Sequence, residues 1–565
     1  MSYPRQAESL IEHLRCAPFL DALAGVAGPL DVELWEAVVE QAARFAAAEL
    51  EPLGRALDEQ GATLVDGRVA TSEVHRGAWA RFREAGWLSL QLPPDLGGQG
   101  LPLLLSTACE EIFNRASAAF MMLPTPNRTA AVLLHGLADE EVRSQWVPRL
   151  ADGSWGATIC ISEPDAGSDV GRIATRADRD ADGRWRVTGE KCWISYGDHD
   201  LTGRIGHCLL ARTGSAVGAR GLSLFLVPDR HADGTRNGVV TRRIEEKMGL
   251  HGSPTCALGF EGAEAILLGA EGRGLAHLFE MMLLMRLSCG PQGVGVAVAA
   301  LDVALGYAQE RRQGGAPDAR PVPIAEHADV QRQLLDAAAR VELARGSAIA
   351  TSIVMQLSAE AAEPEERRRW SALAQFLLPI VKDGAARCAG DVANIAIQVL
   401  GGAGYTREWP VERLARDARV FPLFEGTSGI QALDMLHRRL WRDGGEGLRL
   451  FVGHARADAG DTPDGDVLRR ALTRLEDTAA ALDALKDTAR RAEAGANAFL
   501  RLCEVTLGAW IAVRLLRDTG EGAAGRRIRA AARFALAETD ARGESLAALA
   551  TLGSARLDAF GDLLA

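Results

Sequence analysis

The residues best suited to do chemistry lie at 421–431, FPLFEGTSGIQ, with the acid Glu425 at their centre. Apolar Phe421, Leu423 and Phe424 precede it, and Gly426, Thr427, Ser428 and Gly429 follow. A carboxylate among large apolar side chains loses hydration, which makes its ionised form a stronger base. The small residues after it let a flat ligand approach the backbone closely. The same letters also describe a capped helix start with an exposed acid, since Thr427 or Ser428 can cap the helical pattern that follows.

Two earlier stretches carry groups that would complement such a base. Residues 161–169, ISEPDAGSD, offer backbone N–H groups around Gly167 and the hydroxyls of Ser162 and Ser168. A loop of this kind hydrogen-bonds the polar edge of a ring or holds a phosphate, and an acidic surface turn has the same composition. Residues 191–195, KCWIS, place Trp193 and Ser195 at alternate positions, which on a regular strand share a face. An aromatic plate beside a hydroxyl suits a planar heteroaromatic cofactor; a tryptophan buried in an ordinary core is the commoner case.

Positioning these groups takes several packed units, because 565 residues exceed one ordinary core. Helical spacing dominates 1–153, and short alternating runs separated by Gly and Asp turns occupy 154–272. Helical spacing returns over 273–452, interrupted by a Pro/Gly loop at 311–323. A polar, Gly-rich stretch at 453–466 reads as a linker, and 467–565 reads as an appended C-terminal helical domain. The expected fold is therefore mostly α with a central antiparallel β-domain.

Composition limits the function classes. A net charge of −12, and a nearly neutral C-terminal region, argue against a nucleic-acid backbone as partner. Nine dispersed cysteines without a CxxC pair predict reduced, buried thiols, a cytoplasmic compartment and no bound metal. No signal peptide is expected from the acidic N-terminal residues, and no apolar run reads as a membrane span.

Seven segments, SEPDAGSD, KCWIS, EKMGLHGSPT, YAQERRQG, VELARG, IQVLGGAGYTREWPVERLARDARV and FEGTSGIQ, occur in one order. In that order and spacing the chain resembles the acyl-CoA dehydrogenase family of flavoproteins, over about 80 to 445. The insert before EHADVQRQLL and the C-terminal extension resemble a longer bacterial subgroup. The resemblance implies a helical, β-barrel-like and helical-bundle fold, FAD as cofactor and an acyl-CoA thioester as substrate. It implies electron transfer flavoprotein as acceptor and assembly as a homodimer or homotetramer.

By the same resemblance Glu425 takes the pro-R α-proton, and the β-hydrogen leaves as hydride to the flavin. Trp193 and Ser195 then contact the flavin ring, with Ile159, Ile161 and Ser162 along its polar edge. Ser168 meets the flavin and the pantetheine arm, and Thr427 the flavin side of the catalytic loop. Arg311, Gln398, Gly401 and Gly402 match positions that hold the FAD pyrophosphate of a neighbouring subunit. Arg286 matches a buried, substrate-side arginine that supports the catalytic loop, and a helical surface arginine is the alternative. Some members place the base one residue before that arginine, where this chain has Met285, which takes no proton.

Departures fall at the adenine end. Gly314 stands where many relatives have an aromatic, and Ala328 and Gly429 where many have glutamines; apart from these, Leu283 replaces an aspartate found near the substrate in some members. An acyl-CoA oxidase would share the same substrate half-reaction. A DNA-associated flavoprotein of the same fold would need a basic C-terminal region, which is lacking here.

Overall fold

The computed structural model describes residues 3–565. The chain divides into two units. One comprises the residues through Phe45, Pro102–Arg115 and Arg286–Ala565; the other comprises Ala46–Leu101 and Ala116–Met285.

The second unit holds the sheets. A hairpin of β1 (Ala62–Val65) and β2 (Arg68–Thr71) forms a sheet of its own and packs Val69 into the core of a seven-stranded sheet. That sheet comprises β3 (Gly156–Cys160), β4 (Arg176–Arg179), β5 (Trp185–Ser195), β6 (Ile205–Arg212), β7 (Leu222–Pro228), β8 (Val239–Ile244) and β9 (Thr255–Leu268). Pairing runs β6–β4–β5–β9–β7 and returns to β6, closing a barrel, with β3 on β6 and β8 on β9. The sheet is not wholly antiparallel as expected, since β3 and β4 each pair with β6 in parallel. Alternate residues of the same strands build two cores. Cys208 and Leu210 of β6 and Leu224 and Leu226 of β7 join one core with Trp146 and Leu150. Leu209 and Ala211, with Phe225 and Val227, turn the other way and meet Phe260 and Val187 inside the barrel. Both faces are buried, so these runs read as continuously apolar.

The first unit is helical. Its long helices are Ala328–Glu360 and Pro364–Leu400, and helix Gly274–Glu310 enters it at Arg286. Helix Gly274–Glu310 amends the expectation of no span-length apolar run: its most apolar 18-residue window has mean hydropathy 1.3. That window is 78% buried inside the protein, as a core helix must be.

The C-terminal extension forms three main helices, Pro463–Asp483, Ala496–Asp518 and Ala523–Thr551, within this same unit. Helix Ala496–Asp518 is buried along nearly its whole length, from Phe499 through Trp510 to Leu515. It packs on Ala328–Glu360, on Pro364–Leu400 and on the short helix Ser428–Leu433. Glu504 on it pairs with Arg387, and Arg542 of the last long helix pairs with Asp336 at 3.0 Å. Helix Glu446–Asp458 runs into the stretch expected as a linker, because Phe451, Val452 and Ala455 are buried against their neighbours. The interruption before the next helix shortens to 459–462.

Candidate active site

Glu425 lies on the loop between helices Val411–Ala418 and Ser428–Leu433. Phe421 anchors that loop in the core and meets Phe424 edge-on, with ring centroids 5.8 Å apart. Thr427 caps the next helix by accepting from the Ile430 N–H at 3.3 Å. The helix cap expected at Thr427 therefore forms, but Glu425 beside it is half-buried and not exposed. Glu425 takes a left-handed backbone, with φ of 54°, and Gly426 follows at 90°. Such a conformation costs a non-glycine residue about 1–3 kcal/mol and persists only where its surroundings impose it.

Two side chains impose it. Gln431 Nε2 donates to the carbonyl oxygens of Glu425 and Gly426, at 2.9 and 3.2 Å. Lys382 Nζ, from helix Pro364–Leu400, donates to the carbonyls of Phe421 and Gly426, each at 2.9 Å. Gly426 is needed for a second reason: a Cβ there would stand 2.8 Å from Gln431 Nε2.

The Glu425 carboxylate itself forms no hydrogen bond or close ion pair with any described residue, and its N–H has no acceptor among them. Burial pushes the carboxyl above the ordinary glutamate range, and the more distant charges of Arg286 and Lys382 only partly offset this. Burial likewise draws Lys382 below the ordinary lysine range. Arg286 is 7% exposed, which rules out the surface alternative, and its Nε has no partner. One turn further on, Cys289 is pushed up to about 12 by burial and stays a neutral thiol. The arrangement is a strengthened base, facing two cations, with an unused N–H donor on its own residue.

The barrel unit assembles the second set of candidates. Ile159 ends within β3, and Ile161 and Ser162 follow it. Cys192 N–H donates to Ser162 O at 3.0 Å, which sets that loop against β5, the strand of Trp193 and Ser195. Lys191 Nζ adds bonds to Ile161 O at 2.9 Å and to Glu163 Oε1 at 2.8 Å. Burial opposes ionisation of Glu163, but Lys191 and the Ala174 and Thr175 N–H groups outweigh it and hold the carboxylate charged.

The strand is not regular here. A bulge lies between Lys191 and Ile194 against β9, and Trp193 has φ of 63°. The bulge, rather than simple alternation, leaves the indole 62% exposed beside half-buried Ser195. An uncovered aromatic face, a hydroxyl and a loop with polar backbone suit a planar ring system such as a flavin. Ser168 lies exposed further along the loop.

The third set lies at the ends of two helices of the helical unit. Gly401 caps helix Pro364–Leu400 with φ of 61°, its N–H on Gln398 O, and Gly402 follows in open space. Arg311, just past helix Gly274–Glu310, hydrogen-bonds Gln313 at 3.2 Å, not Gln398. All four residues are exposed. The Gly314 departure has a local cause: φ is 71°, and a Cβ would stand 2.9 Å from His327.

Lys382 lies outside every motif and Lys191 only opens KCWIS without a role of its own there, yet both carry a signal. The chain contains only four lysines among 63 basic residues, so each lysine is an unusual choice.

Comparison with known proteins agrees along most of the chain. Family models for the acyl-CoA dehydrogenase N-terminal, middle and C-terminal domains match residues 33–154, 158–263 and 272–440. The 3-methylmercaptopropionyl-CoA dehydrogenase of Ruegeria pomeroyi is 37% identical over 512 residues, covering 87% of this chain and 86% of that one. A butyryl-CoA dehydrogenase of Syntrophomonas wolfei is 33% identical, covering 71% and 69%. The solved structure of a Bacillus anthracis acyl-CoA dehydrogenase complexed with FAD has the same fold, at TM-score 0.75 and 23% identity, covering 92% and 88%.

Proposed function

The chain belongs to the acyl-CoA dehydrogenase family of FAD-dependent oxidoreductases, and we propose that Glu425 is the base that removes the α-proton of its acyl-CoA substrate. One observation carries the assignment: this carboxylate is strengthened by burial and left without a hydrogen-bond partner. A thioester α-proton is weakly acidic, so the developing enolate oxygen needs donors aimed at it. The Glu425 N–H, which has no acceptor among the described residues, is such a donor.

Trp193, Ser195, Ile159, Ile161 and Ser162 would hold the flavin ring, and Ser168 and Thr427 would border it. FAD, when bound, supplies the two-electron acceptor for the β-hydrogen. Arg311, Gln398, Gly401 and Gly402 would hold the pyrophosphate of a second copy, consistent with their outward exposure. Arg286 holds positive charge near the base and lies on the substrate side. Electrons pass on to an electron transfer flavoprotein. The names of the two curated relatives point to short acyl chains as the first substrates to try.

The test is the visible spectrum of the purified protein, followed anaerobically with butyryl-CoA and 3-methylmercaptopropionyl-CoA beside longer thioesters. Flavin bleaching by at least one thioester, lost in Glu425→Gln with FAD retained, is expected. Bleaching at an undiminished rate in that variant would remove Glu425 from its role.

A further inference from the structure

We propose that Lys382 is the positioning residue of the catalytic loop, fixing the backbone on both sides of Glu425 and supplying a charge against which that base works. The proposal rests on the reading of Glu425 as base. Lys382 is fully buried, and its ammonium binds one carbonyl before Glu425 and one just after it. A span closed at Phe421 and Gly426 holds the residue between them in a conformation it would not adopt alone.

The choice of lysine is informative in a chain that uses arginine for nearly all its positive charge. An ammonium presents its donors from one atom, so a single point can bind two converging carbonyls. A planar guanidinium spreads its donors over a fork. The helical turn that carries Lys382 is itself braced. Arg387 binds Asp383 at 2.8 Å and also pairs with Glu504 of the C-terminal helix Ala496–Asp518. Lysine, loop and extension therefore form one continuous support. The charged and titratable groups bearing on Lys382 are Cys289 and Arg286 from helix Gly274–Glu310, Asp383 on its own helix, and Glu425. Those bearing on Glu425 are Arg286 and Lys382.

Two substitutions separate geometry from charge. Lys382→Met removes both; Lys382→Gln removes the charge but keeps an amide able to donate to the two carbonyls. Anaerobic flavin reduction by butyryl-CoA or 3-methylmercaptopropionyl-CoA is measured against pH, with FAD content and loop amide exchange as independent readouts. Lys382→Met should slow the limiting rate by about tenfold or more. Its Phe424 and Ser428 amides should exchange faster than those of the native protein. In both variants the midpoint of the pH profile should rise by about one pH unit, because a cation near the base is gone. Lys382→Gln should recover much of the rate and the amide protection without recovering the midpoint. Native rate and native midpoint in an FAD-loaded Lys382→Met protein would overturn the proposal. Should Lys382→Met fail to fold, an unchanged midpoint in Lys382→Gln overturns it instead. Native reduction by Glu425→Gln would mark failure of the underlying assignment, whatever the lysine variants do.

Discussion

Gly346 of helix Ala328–Glu360 and Ile511 of helix Ala496–Asp518 stand so close that a Cβ on the glycine would lie 2.5 Å from Ile511 Cγ2. The same Cβ would lie 3.3 Å from His13 Nδ1. Backbone and side chain meet here with no slack, so the C-terminal helix is seated in the helical unit by shape.

Gly346→Ala should therefore cost about 1–3 kcal/mol through overpacking. Gly508→Ala, whose Cβ would meet only the end of Leu343 at 3.1 Å, should cost less. Denaturant midpoints of the two variants decide, and equal losses would contradict the close seating.

Glu425 should weaken the fold it serves. Burial raises its carboxyl, so the folded state binds a proton more readily than the unfolded chain. The favourable contribution is present below the unfolded value and is lost as pH rises through the folded one. At neutral pH Glu425→Gln should melt at a higher temperature than the native protein. The gain should shrink as pH falls through the raised folded value and be gone once the ordinary glutamate range is reached. A variant that melts lower at neutral pH would speak against a strained, desolvated base.

Glu342 titrates in the opposite sense. Burial opposes its ionisation, but Arg345 at 2.6 Å and His13 at 2.8 Å outweigh that and take its carboxyl from 4.5 down to about 2. Its contribution is present above the unfolded value and drains away as pH falls through that window. Glu342→Gln should cost about 3–5 kcal/mol at neutral pH, since it leaves Arg345 buried with one partner fewer. It should also flatten the acid limb of the stability curve, which a pH series of unfolding midpoints reads directly.

Arg311 tests assembly. If it reaches the pyrophosphate of a second copy, Arg311→Ala should lower FAD retention and weaken association together, because a ligand bound across an interface stabilises it. Sedimentation with and without added FAD checks this. A native protein that is monomeric at micromolar concentration and still holds FAD tightly would refute it.

Much of this was legible in the letters. The FEGTSG run marks a loop whose acid and glycine both take left-handed backbones, and the alternating runs of 154–272 became the barrel. Motifs report what neighbouring residues do together. Lys382 contacts its carbonyls across a long loop of sequence, and no local pattern encodes that. The bulge at Trp193 depends on pairing with β9, so a single-strand reading gives regular alternation there. The expected break at 453–466 is longer than the observed 459–462, because its polar letters hide the buried Ala455, which continues the helix face of Phe451 and Val452.

The folded protein offers few amines to a reagent. Of the four lysines, Lys191 and Lys382 are sealed from solvent, while Lys247 is half-buried and Lys486 exposed. Arginine does not deprotonate in proteins, so amine-directed acylating reagents find only two side chains within reach on the folded molecule. Any modification that appears at Lys382 then records a moment when the loop around Glu425 had let go. A time course of labelling at that one position, read by mass spectrometry, would clock the opening of the loop in the intact protein.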